Sequence, residues 1–296
     1  MTMRVQILVL LAIGTLALSG CAVGPEHRVL RAAGLPVELV EVPFFPQEEY
    51  QCGPAALATL LVHSGVEVTP EQLVSRVYVP DRQGSLQAEI LAATRSHGRV
   101  PYLMPETLAP ILAELRAGQP VLLLQNLGID RWPVWHYAVL IGVDPAAETF
   151  LLRSGTKRRL ESGAVPFLAS WDRGGRWSLV AVAASEPPAS ADVLGWLRAV
   201  APFESTGHLD LAAEGYMAAV ERWPDEAMAW TALGNVRYLQ RDLAAAESAY
   251  QRALELSPGF GPACNNLAQT LTELVAAGER TCDAVDACAK ACGPRP

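Results

Sequence analysis

From residue 193 onward the chain repeats itself at an interval of 34 residues, the spacing between Trp196 and Trp230. Ala212 recurs in the same way as Ala246, Tyr216 as Tyr250, Ala219 as Ala253 and Pro224 as Pro258. An interval of this length accommodates two helices, and one pair cannot bury its apolar face alone, so successive pairs must stack. Residues 193–296 are thereby constrained to an all-helical array. Ahead of it, Ser185 to Ser190 carries two prolines and small polar residues with no apolar period, which marks a linker at 186–192. The 296-residue chain is 51% hydrophobic and 18% charged, so the part before the linker can also bury a core of its own.

The first segment has a different character. Arg4 precedes the apolar run Ile7 to Ile13, continued by Leu16 and Leu18, and the run closes at Leu18-Ser19-Gly20-Cys21. It is shorter than the ~18 apolar residues a spanning helix needs and ends on small residues, as a signal peptide does. The closing quartet resembles a bacterial lipobox. That resemblance implies a signal peptide at 1–20 and a lipid on Cys21. With Ala22 rather than an aspartate next, it also implies an outer-membrane anchor with the folded chain facing the periplasm. Residues 21–36 contain Gly24-Pro25 and no sustained period, so a tether is expected there. The formal net charge of -8 supplies no basic surplus to neutralise phosphates, which argues against a nucleic-acid partner.

Residues 37–185 should form the first folded domain. Val37 to Val42 reads as a strand running on toward Phe45. Cys52-Gly53-Pro54 opens a helix through His63, with proline in the first turn and Gly65 as a stop. Thr69-Pro70-Glu71-Gln72 carries the cap, proline and glutamine that start a second helix, ending near Val79-Pro80. Ser85 can cap a third helix through His97-Gly98, and a fourth runs from Pro105 to Arg116. From Val121 the pattern turns to strands: 121–124, 136–141, 150–152 and 177–182. Helices followed by a sheet indicate an α+β domain.

A thiol at a helix N-terminus faces unpaired N–H groups and the positive end of the macrodipole, both of which favour thiolate. Cys52 has that position. Alone it would read as a small buried residue at a helix cap; a catalytic reading needs a base and oxyanion donors beside it. Of the five histidines, His27 lies in the tether, His63 and His97 end helices and His208 falls in the repeats, which leaves His136 at the head of a strand. The Cys52 N–H and a side-chain amide just upstream can form an oxyanion hole, with Gln47 better placed than the adjacent Gln51. One cysteine and one histidine this far apart lack the paired spacings of a structural zinc site, and no metal or other cofactor is expected.

Gln47-Glu48-Glu49-Tyr50-Gln51-Cys52-Gly53-Pro54-Ala55-Ala56-Leu57 and His136-Tyr137-Ala138-Val139-Leu140-Ile141-Gly142 together resemble the two motif blocks of the C39-like cysteine peptidases. The resemblance covers roughly residues 38–184. It implies a papain-like fold, Cys52 as nucleophile, His136 as base and Gln47 as oxyanion donor. Two departures stand out. Gln47 precedes Cys52 by five residues, where bacteriocin-processing members usually show six. Where the family usually has Asp-Pro on the next strand, this chain shows Arg153-Ser154. Asp144 is the nearest following carboxylate, but at ~3.3 Å per residue it lies too far along the His136 strand to touch the imidazole. Ser154 is the candidate orienter if the two strands pair.

Trp230, Leu233, Gly234, Ala246, Tyr250, Ala253 and Pro258 resemble a tetratricopeptide repeat, with a degenerate unit before it and a decaying third one from Asn265. Such arrays imply a protein or peptide partner in a concave groove, although the repeats could equally serve to pack on the first domain. Cys264, Cys282, Cys288 and Cys292 suit one or two disulfides in an oxidising compartment, their connectivity unreadable. The expected function is a membrane-anchored cysteine peptidase acting on an exported peptide or protein. The alternatives are an inactive papain-like assembly scaffold and a thiol acyltransferase.

Overall fold

The computed structural model describes residues 24–46, 51–82 and 84–292. Cys21 and Gln47 lie outside them. Among the described residues no helix is long and apolar enough to cross a membrane.

The chain enters through α1 (Pro25–Arg31) and strand β1 (Val37–Glu38), then builds three helices, α2 (Cys52–His63), α3 (Pro70–Val77) and α4 (Gln87–Ser96). A small hairpin of β2 (Tyr78–Val79) and β3 (Gly84–Ser85) separates the last two. Next come β4 (Val100–Leu103), α5 (Leu108–Arg116), β5 (Val121–Asn126), β6 (Trp135–Asp144), β7 (Thr149–Ser154), β8 (Lys157–Gly163), α6 (Ala164–Arg173) and β9 (Ser178–Val182). The main sheet is antiparallel in the order β4-β9-β5-β6-β7-β8, with β1 paired to the far end of β6.

Side chains alternate between the two faces of this sheet. Leu122, Leu124, Tyr137, Val139 and Ile141 share one apolar cluster with Leu57, Leu60 and Leu61 of α2. Leu123, Ala138, Leu140 and Leu152 share a second with α1, α5 and α6. The helix that carries Cys52 therefore lies on one face, bedded against the strand that carries His136.

The all-helical part is built from α7 (Val193–Ser205), α8 (Leu209–Arg222), α9 (Ala227–Leu239), α10 (Leu243–Leu256), α11 (Gly261–Ala276) and α12 (Cys282–Cys292). Small residues let paired helices approach: a Cβ on Gly234 would stand 2.4 Å from the Tyr250 ring. A disulfide joins Cys264 to Cys292 and so ties α12 to α11, while Cys282 and Cys288 are free thiols. The array is not a separate body. Trp196, Val200 and Phe203 of α7 belong to the same apolar cluster as Val100, Tyr102 and Leu115. The linker is also fixed at both ends: Ser190 N donates to the buried Glu114 carboxylate at 2.7 Å, and Arg222 donates to the carbonyls of Pro187, Pro188 and Ala189.

Several sequence expectations are corrected. Residues 25–31 of the expected tether form a docked helix: Leu30 is fully buried, and Glu26, His27 and Arg31 pair with Arg176 and Glu148. The first strand pairs over only two residues, because Pro43 and Pro46 lack donors and the chain turns at Leu39 to Val42. Ser85 belongs to β3 instead of capping a helix; α4 starts after Leu86. β4, β8 and α6 carry no apolar alternation strong enough to announce them. β4 holds Pro101, tolerated on an edge strand, and β8 is an exposed, charged edge.

Candidate active site

Cys52 is the first residue of α2. The helix can start here because Pro54 sits in the first turn, where a missing N–H costs nothing. Gly53 is required by contact, since a Cβ there would fall 2.1 Å from Ser85 Oγ. The backbone N–H groups of Tyr137, Gly53 and Cys52 itself are directed at the sulfur. Tyr137 directly follows His136, so α2 delivers the thiol to the head of β6 where the imidazole sits.

The expected preference for thiolate is not what this environment favours. Burial pushes the Cys52 thiol above its ordinary value, and the three N–H groups offset this only in part. Burial also holds His136 below the ordinary imidazole range. Desolvation thus outweighs the helix terminus, and burial disfavours both the thiolate of Cys52 and the imidazolium of His136. Attack on a carbonyl then requires the proton to leave sulfur as the new bond forms, which is general-base chemistry.

His136 Nε2 lies 2.8 Å from Ser154 Oγ at the end of β7. In the tautomer that leaves Nδ1 free to accept a proton, Nε2–H donates to this hydroxyl. Arg153 points elsewhere. Its buried guanidinium donates to the carbonyls of Val40, Val42 and Arg158, pinning the segment that leads toward Cys52. Asp144 sits at the far end of β6, where its Oδ1 accepts from the N–H groups of Ala146 and Ala147.

Sequence reasoning overlooked Tyr137 and Ser85. The Tyr137 phenol donates to Ser85 O at 3.3 Å, and burial together with the nearby Cys52 sulfur raises its pKa. Its ring meets Trp177 edge-on at 5.8 Å. Tyr137 thereby links β3, the thiol and Trp177, the residue just ahead of β9. Its neighbour His136 was the signal available; nothing in the sequence marked Ser85 as its partner.

Residues 39–175 match the Peptidase_C39 like family, a span just under half of the chain. Over this span the N-terminal domain is similar to that family. Its antiparallel sheet with helices on both faces is the papain-like arrangement expected of such a domain. Three solved structures resemble it. A structure described as a C39-like peptidase of Bacillus anthracis is 17% identical, with a TM-score of 0.42 over 50% of this chain and 97% of that one. The peptidase domain of Streptococcus ComA, a bi-functional ABC transporter involved in quorum sensing, is 16% identical with a TM-score of 0.40, covering 48% of this chain and 99% of that one. A double glycine motif protease from an AMS/PCAT transporter, in complex with its leader peptide, is 23% identical with a TM-score of 0.37, covering 49% and 96%. A separate match, 43% identical over 61 residues, is to the mouse protein O-mannosyl-transferase TMTC1; it takes in 21% of this chain and spans 6% of that protein. Nothing of the transferase activity follows from so short a segment.

Proposed function

We propose that the chain is a lipid-anchored cysteine peptidase in which Cys52 attacks a peptide carbonyl and His136 takes the thiol proton. The observation that carries this reading is the meeting of the α2 thiol with the N–H of Tyr137, the residue next to His136, whose imidazole is engaged by Ser154. The C39-like domain supports a peptidase-type activity. In the proposed cycle the Cys52 N–H and the Gln47 amide receive the oxyanion, and His136 returns the proton to the leaving amine. Water then hydrolyses the thioester with His136 as base. Cys21 carries the anchor at the outer membrane, and the helical array, read as tetratricopeptide repeats, recruits the substrate or a partner. Water is the assumed acceptor; an amine in its place would make the enzyme a thiol acyltransferase.

One observation favours a scaffold without turnover: a serine, not a carboxylate, engages the imidazole. Both readings are separated by presenting a peptide library to the wild-type chain and to Cys52→Ser and His136→Ala. Turnover that disappears in both variants supports the peptidase. No turnover by wild type, together with an alkylation rate at Cys52 that His136→Ala leaves unchanged, overturns it.

A further inference from the structure

Between β5 and β6 the chain forms a short hairpin extension that is unusually apolar for an exposed element. Leu127, Ile129, Trp132, Val134 and Trp135 expose 53%, 56%, 66%, 56% and 56% of their surface. The segment is nonetheless ordered by its own hydrogen bonds. Leu127 N donates to Val134 O, Ile129 and Trp132 each donate to the other's carbonyl, and Asn126 Oδ1 accepts from Gly128 N and Val134 N. Gly128 is needed for this closure, because a Cβ there would stand 2.3 Å from Trp132 O.

The register decides where these side chains go. Gln125 pairs with His136 and Asn126 with Trp135, so the ladder continues as Leu127 opposite Val134 and Ile129 opposite Trp132. With side chains alternating, Leu127, Ile129, Trp132 and Val134 share one face. His136, two residues beyond Val134, continues the same row. Cys52 meets β6 at Tyr137, on the opposite side of His136 along the strand. Along β6 the ledge therefore leads into His136, and the next residue, Tyr137, directs its backbone N–H at the Cys52 sulfur.

We infer that this ledge docks apolar side chains of the peptide on the leaving-amine side of the cleaved bond, an inference that rests on the peptidase reading. In that chemistry His136 protonates the departing nitrogen, so the departing segment is the part of the substrate that His136 faces away from Cys52. The surface continuing in that direction is the row from Val134 to Leu127. Its backbone is already ordered, so docking buries apolar area with little ordering cost. Arg131 stacks over the Trp132 ring at 5.1 Å and covers one of its faces.

The test measures binding without turnover. In the full-length Cys52→Ala chain, peptides with a free amino terminus beginning Leu-Phe stand in for the departing product, and peptides beginning Ser-Gly serve as the control. The Leu-Phe peptides are expected to bind about tenfold or more tightly than the control, and Trp132→Ser or Leu127→Ser should remove most of that difference. Unchanged Leu-Phe affinity in both ledge variants overturns the inference, as does equal binding of the two peptide classes. A third outcome also overturns it: ledge variants that lose co-sedimentation with phospholipid vesicles but keep peptide affinity would mean that the hairpin faces a membrane. Peptide-library turnover by the wild-type chain reports on the peptidase reading separately. Ledge-dependent binding without turnover would remove the activity and keep the docking surface.

Discussion

His136 is held by a hydroxyl, and a hydroxyl can fix the orientation of an imidazole without stabilising its cation. Replacing Ser154 with Asp should therefore add what the site lacks. A carboxylate beside the ring raises the imidazole pKa and favours transfer of the thiol proton to it. Alkylation of Cys52 near neutral pH should rise by roughly tenfold, and Ser154→Ala should lower peptide turnover several-fold. The wild-type pH profile follows from the two shifts. His136, lowered by burial, stays unprotonated to below its ordinary value of about 6.5. Cys52, raised by burial, becomes thiolate unaided only in alkali above the ordinary thiol range. Stopped-time alkylation should accordingly show a base-assisted plateau between these limits, lost in His136→Ala, and a second rise in alkali that the variant keeps. Cys52 and His136 were legible because each stands inside a local motif. Ser154 was legible only as a neighbour on the next strand. Ser85 and the pinning role of Arg153 were not, since both depend on contacts between segments that no local pattern relates.

Helix starts with strong local chemistry were the readable elements. The α2 start agrees with its proline and glycine, and at α3 Gln72 Oε1 accepts from Thr69 N at 2.9 Å as the spacing requires. Elements defined by partners were misread. α1 is helical because its few side chains find Glu148, Arg176 and the second apolar cluster; by itself a helix that short is unstable. β8 has no apolar face to reveal it, and only its pairing with β7 makes it a strand. The crowded start of α2 yields a prediction of its own. Gly53→Ala must displace Ser85 and with it the carbonyl that holds Tyr137. A loss of about 1–3 kcal/mol in denaturant titration is expected, with Cys52 alkylation altered as well. Arg153→Leu should cost a similar or larger amount, about 2–4 kcal/mol, because three backbone carbonyls would lose their donor.

The division of the chain at the linker was visible in composition; the merging of the two halves was not. Trp196 is fully buried in a cluster that runs from the sheet into the helical array. Its indole N–H donates to Gly215 O at 2.8 Å. Trp196→Ala should cost about 3–5 kcal/mol and lower the unfolding of sheet and array together, as a single calorimetric transition. A chain ended at residue 185 would leave the Val100 and Tyr102 side of that cluster uncovered and should aggregate, whereas protease nicking between 186 and 192 should leave both halves associated through a gel-filtration column. The linker, clasped by Glu114 and Arg222, is therefore not a hinge. The path from the array to the Cys52 thiol has a fixed length, so under the proposed peptidase reading a substrate held by the helices would be cut according to how many residues separate the held part from the bond, as along a ruler.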